Sequence, residues 1–170
     1  MIKVVDNFLD NTVNEMIEKE LTKPTFPWYC IKNITLDDLK NFAFFHQFVE
    51  NGKINSDRCN DLIIPIVNKI MSDNLIDINY ACYRVKANLY TNQGKQIEHN
   101  FHTDTNKKHL VVLYCVNENN GYTELETGEK IMSKKNRLII FNGMIKHKSA
   151  TQTDTNFRIN CNFNFLTGEI

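Results

Sequence analysis

Apolar residues change their period part-way along this 170-residue chain, recurring at helical spacing up to residue 76 and alternating from Asp77 onward. Ile2 to Val5 is a short apolar run expected to form an edge strand. Thr12-Val13-Asn14-Glu15 has the form of a capping box, followed by Val13, Met16, Ile17 and Leu21 on one helical face. Pro24 and Pro27 end that helix in the segment KPTFPWYC, whose Phe26 to Tyr29 reads as a core-packing turn. A second N-cap at Thr35-Leu36-Asp37-Asp38 predicts a helix running through Phe42, Phe45 and Val49. Ser56 caps a third, from Asp57 to about Ser72, in which Pro65 must introduce a kink or a new turn.

The second half reads as strands. Between Asn79 and Tyr90, Ala81, Tyr83, Val85, Ala87 and Leu89 alternate with Tyr80, Cys82, Arg84, Lys86, Asn88 and Tyr90. His109 to Val116 is a nearly continuous, β-branched apolar run. Asn119-Asn120-Gly121 turns into Tyr122 to Leu125, and Thr127-Gly128 turns again before Lys130 to Met132. Arg137 to Phe141 is strongly apolar. Phe157 to Phe165 places Phe157, Ile159, Cys161, Phe163 and Phe165 on one face and Arg158, Asn160, Asn162 and Asn164 on the other. Helices followed by closely spaced strands point to a mainly β sandwich or barrel with helices packed on one sheet.

Composition narrows the class. The length fits a single domain over 1–170, with 1–76 as mostly helical support and 77–170 as the β core. Hydrophobic residues at 42% and aromatics at 11% suffice for a core, and the formal net charge of zero disfavours a nucleic-acid binder. The five cysteines, at 30, 59, 82, 115 and 161, lack CxxC spacing, and three lie in strand-like runs where a free thiol acts as a small hydrophobe. With no apolar run at the N-terminus long enough for a signal or a membrane span, a reducing cytoplasmic setting is expected.

The candidate chemistry begins in HNFHTDTNKK, where His102 and Asp104 stand two residues apart. On an extended chain both point to one side and can reach one ion. Two histidines and a carboxylate on one face, with other positions open, suit ferrous iron. Among the remaining histidines, His46 lies among phenylalanines and reads as a packing residue. His99 points away from His102, and His109 is too close in sequence to fold back. His147 follows the apolar strand RLIIFNG and is the best third ligand. Arg158 opens a strand whose polar face is otherwise asparagine, and such an arginine is expensive to bury unless it meets a carboxylate. Arginine is also the side chain shaped for bidentate carboxylate recognition. A sheet-edge surface position is the plain alternative.

The order His102-x-Asp104, His147, Arg158 resembles the Fe(II)/2-oxoglutarate-dependent oxygenases, in particular their prolyl-4-hydroxylase-like branch. The stretch NGYTELETGEKIMSKKNRLIIFNGMIKHKSATQTDTNFRINCNFNF is similar in layout to the second half of that family. VVDNFLDNTVNEMIEKEL followed by TFPWYC looks like small members encoded by marine bacteriophages, which would place the protein in a host-cell cytoplasm. The resemblance implies a double-stranded β-helix, a jelly roll with N-terminal helices against its larger sheet. It implies that His102, Asp104 and His147 hold Fe(II), that Arg158 pairs with the distal carboxylate of 2-oxoglutarate, and that ascorbate serves as reductant in assays. Tyr114 and Tyr90 are weaker transfers to the co-substrate pocket, with Asn88 on the same face as Tyr90. Asn160 stands where related enzymes often carry a small hydroxyl residue.

The implied reaction couples conversion of 2-oxoglutarate and O2 into succinate and CO2 to hydroxylation of a peptide or protein substrate, with a peptidyl residue such as proline the leading choice. Family halogenases have a small residue in place of Asp104, so hydroxylation is the expected outcome. Two alternatives stand beside this. One is a nucleic-acid-directed demethylase of the same superfamily, with Lys134, Lys135, Arg137, Lys146 and Lys148 as a basic rim. The other is a non-catalytic cupin-like binding domain. Neither nucleic acid nor membrane is the favoured partner, and structural zinc is disfavoured by the cysteine spacing.

Overall fold

The computed structural model describes residues 2–32 and 41–168. Two antiparallel sheets face each other. The first strands of the large one are β1 (Ile2–Val5), β2 (Tyr29–Ile31), β3 (Ala43–Glu50) and β4 (Lys53–Ile54). It continues with β5 (Ala81–Thr91) and β6 (His109–Cys115). The small sheet contains β7 (Tyr122–Leu125) and β8 (Lys130–Met132). Then come β9 (Arg137–Asn142), β10 (His147–Ala150) and β11 (Phe157–Leu166). The large sheet runs β1-β9-β6-β11-β5-β3-β2 with β4 on β3, and the small one runs β10-β7-β8. This is the expected mainly β, double-stranded β-helix architecture.

Strand alternation sorts the core into two layers. Val112, Tyr114, Ile159, Cys161, Phe163 and Phe165 face the helices α1 (Asn11–Leu21), α2 (Cys59–Leu62) and α3 (Ile64–Ser72). Those helices bury Ile17, Leu21, Leu62, Ile66 and Ile70 against them. On the other face Val111, Leu113, Cys115, Ile139 and Phe141 meet Leu125 of the small sheet. β11 is central and buried on both faces, so its asparagines are enclosed between the sheets. Among the described residues no helix is long and apolar enough to cross a membrane.

Three expectations for the first half change. The helix predicted through Phe42, Phe45 and Val49 is the strand β3, whose Phe44, Phe45 and His46 pair with Leu89, Asn88 and Ala87. The aromatic-rich run AFFHQFVE suits a pleated surface buried on both sides, and aromatics three apart mimic a helical stripe. Its proposed cap at Thr35 to Asp38 lies outside the described residues. Among the described residues, the first 76 therefore contribute four strands as well as helices. The N-cap of α1 is Asp10, which accepts from Thr12 N at 2.8 Å, so the helix begins ahead of the capping box. Pro65 behaves as expected, starting α3 in its first turn where no amide donor is missed. Of the Phe26 to Tyr29 segment only Phe26 is buried; Trp28, half-buried, donates Nε1 to Leu21 O at 3.1 Å, while Pro27 and Tyr29 are exposed.

Candidate active site

His102 and His147 come together through backbone pairing. His102 N donates to His147 O at 3.0 Å and His147 N to His102 O at 2.9 Å, an isolated antiparallel bridge between the loop after β5 and the start of β10. The two rings then sit 4.7 Å apart, with Phe141 edge-on to His147 at 5.2 Å. Asp104 curls back so that one donor atom from each of His102, Asp104 and His147 lies within 4.8 Å of the others. Such a set, two imidazoles and one carboxylate, suits a divalent first-row ion with open coordination positions.

Asp104 is held by residues that converge from two strands. Arg84 Nη2 donates to Oδ1 at 2.7 Å, and Oδ2 accepts from Asn164 Nδ2 at 2.8 Å and Asn162 Nδ2 at 3.0 Å. Arg84 is itself oriented by Nε donating to Asn164 Oδ1 at 2.8 Å. Burial alone would raise the Asp104 pKa, but Arg84, His147 and the two amides together hold the carboxyl far below its usual range. Burial pushes His147 down to about 4, with Asp104 opposing and His102 reinforcing the shift. At neutral pH the trio is therefore one carboxylate with a neutral His147, the protonation state a metal requires.

Arg158 is fully enclosed. Its Nε donates to Ser133 Oγ at 2.7 Å, Nη2 donates to Thr123 Oγ1 at 3.2 Å, and the guanidinium lies 5.3 Å from the Tyr90 ring centroid. Nη1 is buried and has no hydrogen-bond partner. Among the described residues no carboxylate pairs with this charge, an expensive arrangement unless an anion arrives. Gly121 makes room for it, since a Cβ there would stand 2.6 Å from Arg158 Cδ. Tyr90 and Thr123 contact the guanidinium and also line a cleft of about 610 Å³, open mouth included. His102, Asp104 and His147 line the same cleft, along with Asn88, Asn160, Asn162 and Lys86. The orphaned Nη1 and the three-donor cluster thus fit a carboxylate-bearing co-substrate beside a metal.

Comparison with solved structures places this arrangement in context. A prolyl hydroxylase from Trichoplax adhaerens, in complex with a hypoxia inducible factor peptide fragment, superposes with a TM-score of 0.69 at 15% identity. That match covers 97% of this chain and 83% of the other. The fold is that of the 2-oxoglutarate/Fe(II) oxygenases. A 2OG-Fe(II) oxygenase family protein from Burkholderia pseudomallei gives a TM-score of 0.72 at 9% identity, over 99% of this chain and 86% of that one. The viral collagen prolyl hydroxylase of Paramecium Bursaria Chlorella virus-1, as its 2OG complex, gives 0.63 at 14%, over 99% and 96%. No family model and no curated protein matches by sequence.

Within this oxygenase fold the residues expected from sequence separate into two groups. His102, Asp104, His147, Tyr90, Asn160 and Asn88 all line the cleft, Arg158 adjoins it, and Asn88 Nδ2 donates to Asn160 Oδ1 at 3.0 Å. Tyr114 does not reach it. Val111, Leu113 and Cys115 take the inward face of β6, so Tyr114 points to the helices, packs on Phe8 and donates to Asn136 Oδ1 at 3.1 Å. One position along a strand reverses the face, and Cys115 is the neighbour that faces inward. His99 stacks on Tyr90 at 5.5 Å and bonds Ser149 Oγ, beside the cleft but outside the trio. His46 lies in β3 instead of a helix, bonded to Pro27 O and Ser56 Oγ as a packing residue. Most of the basic rim is already paired, Lys134 and Arg137 with Asp6, Lys135 with Glu18, and Lys148 with Glu98.

Sequence reasoning did not single out Arg84, Asn162, Asn164, Ser133, Thr123 or Lys86. Alternation placed Arg84 and Lys86 on one face of β5, and Asn162 and Asn164 beside Arg158 on β11. That shared polar face was the available signal.

Proposed function

We propose that this protein is an Fe(II)- and 2-oxoglutarate-dependent oxygenase that hydroxylates a peptidyl residue such as proline, with release of succinate and CO2. The observation that carries the reading is the His102, Asp104 and His147 cluster sharing a cleft wall with the contacts of a buried, unsatisfied Arg158. Bound iron would supply activation of O2 at the expense of the co-substrate. The chain's own part is to hold and exclude. His102 and His147 offer ring nitrogens and Asp104 a fixed carboxylate, its other contacts taken by Arg84 and the two asparagines. Arg158 receives the distal carboxylate, with Tyr90 over its guanidinium. Val111, Leu113 and Phe141 line the cleft with apolar surface that keeps water from the reacting groups. A peptide substrate is supported by the fold shared with a prolyl hydroxylase bound to a peptide fragment.

Anaerobic addition of Fe(II) and 2-oxoglutarate should produce the weak visible charge-transfer band of a chelated metal. His147→Ala should abolish it, and Arg158→Met should require far more 2-oxoglutarate to reach it. Admitting O2 with ascorbate present should yield succinate, increased by a proline-containing peptide. Absence of the band in the wild-type protein, or its persistence unchanged in both variants, overturns the assignment.

A further inference from the structure

Lys86 stands on the same face of β5 as Arg84, Asn88 and Tyr90, and its side chain lines the cleft that holds the three donors. Among the described residues no carboxylate pairs with it, and its ring contact is Phe45, 5.8 Å from the ammonium. Asp104, the acid of the cleft, is already taken up by Arg84, Asn162 and Asn164. Arg158, whose hydrogen bonds go to Ser133 and Thr123, accounts for the co-substrate's distal carboxylate. With ferrous iron, the co-substrate dianion and Asp104 in place, Arg84 and Arg158 already leave the site positive. Lys86 adds to that excess.

We propose that Lys86 pairs with a carboxylate on the prime substrate, so that the substrate is an anion recognised at the cleft beside the metal. This rests on the oxygenase reading above and specifies its substrate class. Burial pushes the Lys86 pKa down to about 8, with Arg84 adding to the shift and Asp104 opposing it, so a carboxylate placed beside it would favour the charged form. Asn88 and Asn160, joined to each other on the same wall, leave further polar atoms to orient a carboxylate-bearing molecule. The carboxylate can belong to a small free acid or to an acidic side chain next to the oxidised residue, and the test separates the two.

The probes are matched pairs: N-acetyl amino acids against their primary amides, and Ac-Asp-Pro-NH2 against Ac-Asn-Pro-NH2. Each is added to the anaerobic Fe(II)–2-oxoglutarate complex, and the change in the charge-transfer band and then succinate formation are measured. At least one carboxylate probe should outperform its amide by about tenfold, the worth of one charge-assisted hydrogen bond. Lys86→Met should erase the preference, Lys86→Arg should keep most of it, and KM for 2-oxoglutarate should stay within about twofold in both. A response to the N-acetyl amino acids identifies a free acid, and one to Ac-Asp-Pro-NH2 an acidic peptide. No preference for any carboxylate, or a preference that survives Lys86→Met, overturns the proposal. So does a rise in KM for 2-oxoglutarate with the preference intact, which would assign Lys86 to the co-substrate. A wild-type protein that forms no band fails at the earlier reading, and the two failures stay distinct.

Discussion

Replacing Gly121 with alanine tests the placement of Arg158, the arginine proposed to receive the co-substrate. The added Cβ would lie 2.6 Å from Arg158 Cδ, 2.8 Å from Asn119 Oδ1 and 2.9 Å from Ala150 O. Real contacts of this kind essentially never fall below 3 Å, and little here can yield. Ala150 O is backbone within β10, and Arg158 is pinned at its far end by Ser133 and Thr123. Overpacking of this sort costs about 1–3 kcal/mol, or roughly 2–12 °C of melting temperature for a domain of this size. Relief comes most readily by moving the arginine, which on the proposed role would forfeit one charge-assisted hydrogen bond to the co-substrate, about 1.5–3 kcal/mol. Affinity for 2-oxoglutarate should fall roughly ten- to a hundredfold. Fe(II) affinity should be unchanged, because the three donors lie on other segments. Titrating the charge-transfer band with 2-oxoglutarate, with Gly168→Ala as a control in open space, measures this directly. A Gly121→Ala protein with wild-type melting and wild-type 2-oxoglutarate affinity would refute the geometry assigned to Arg158.

Two further outcomes follow from the buried charges. Arg84→Met removes the main counter-charge of a nearly fully buried Asp104 and should destabilise the metal-free protein by about 3 kcal/mol in urea denaturation, the low end for a broken buried pair since Asn162 and Asn164 remain. Adding Asp104→Asn should recover part of that loss, and strict additivity of the two changes would count against the pairing. His147, buried neutral with its pKa at about 4 against an ordinary 6.5, binds a proton more readily in the unfolded chain. Stability of the metal-free protein is therefore full well above pH 6.5 and falls as pH drops toward 4, by about 2.5 kcal/mol from this group at pH 4.5. A His147→Leu variant should show a correspondingly shallower pH dependence between pH 7 and 4.5, and an identical slope would contradict the burial of a neutral imidazole.

Long stretches of pure alternation made the second half legible from sequence. Phe157 to Phe165 needs its apolar face toward one layer, and any pairing that keeps it there puts Arg158 and the asparagines between the sheets. The spacing of His102 and Asp104, and a histidine just past an apolar strand, likewise follow from local chain direction. Where apolar residues fall on both faces, periodicity stops discriminating. Ala43 to Glu50 reads equally as a helix stripe or a strand, and only its pairing with β5 decides. Tyr114 and Cys115 both lie in a continuous apolar run, so which of them faces inward depends on register against β9 and β11.

Sequence by itself therefore determined the mainly β architecture and singled out His102, Asp104, His147 and Arg158 as candidates, because each is a matter of local pattern and chain order. Tertiary structure alone decided what surrounds Asp104, since Arg84, Asn162 and Asn164 lie 20 to 60 residues away along the chain. It also decided that neither Arg158 nor Lys86, both at the cleft, forms an ion pair with a carboxylate of the described residues. Whether a buried charge is satisfied depends on every element packed around it. That sum is fixed only once the sheets have closed.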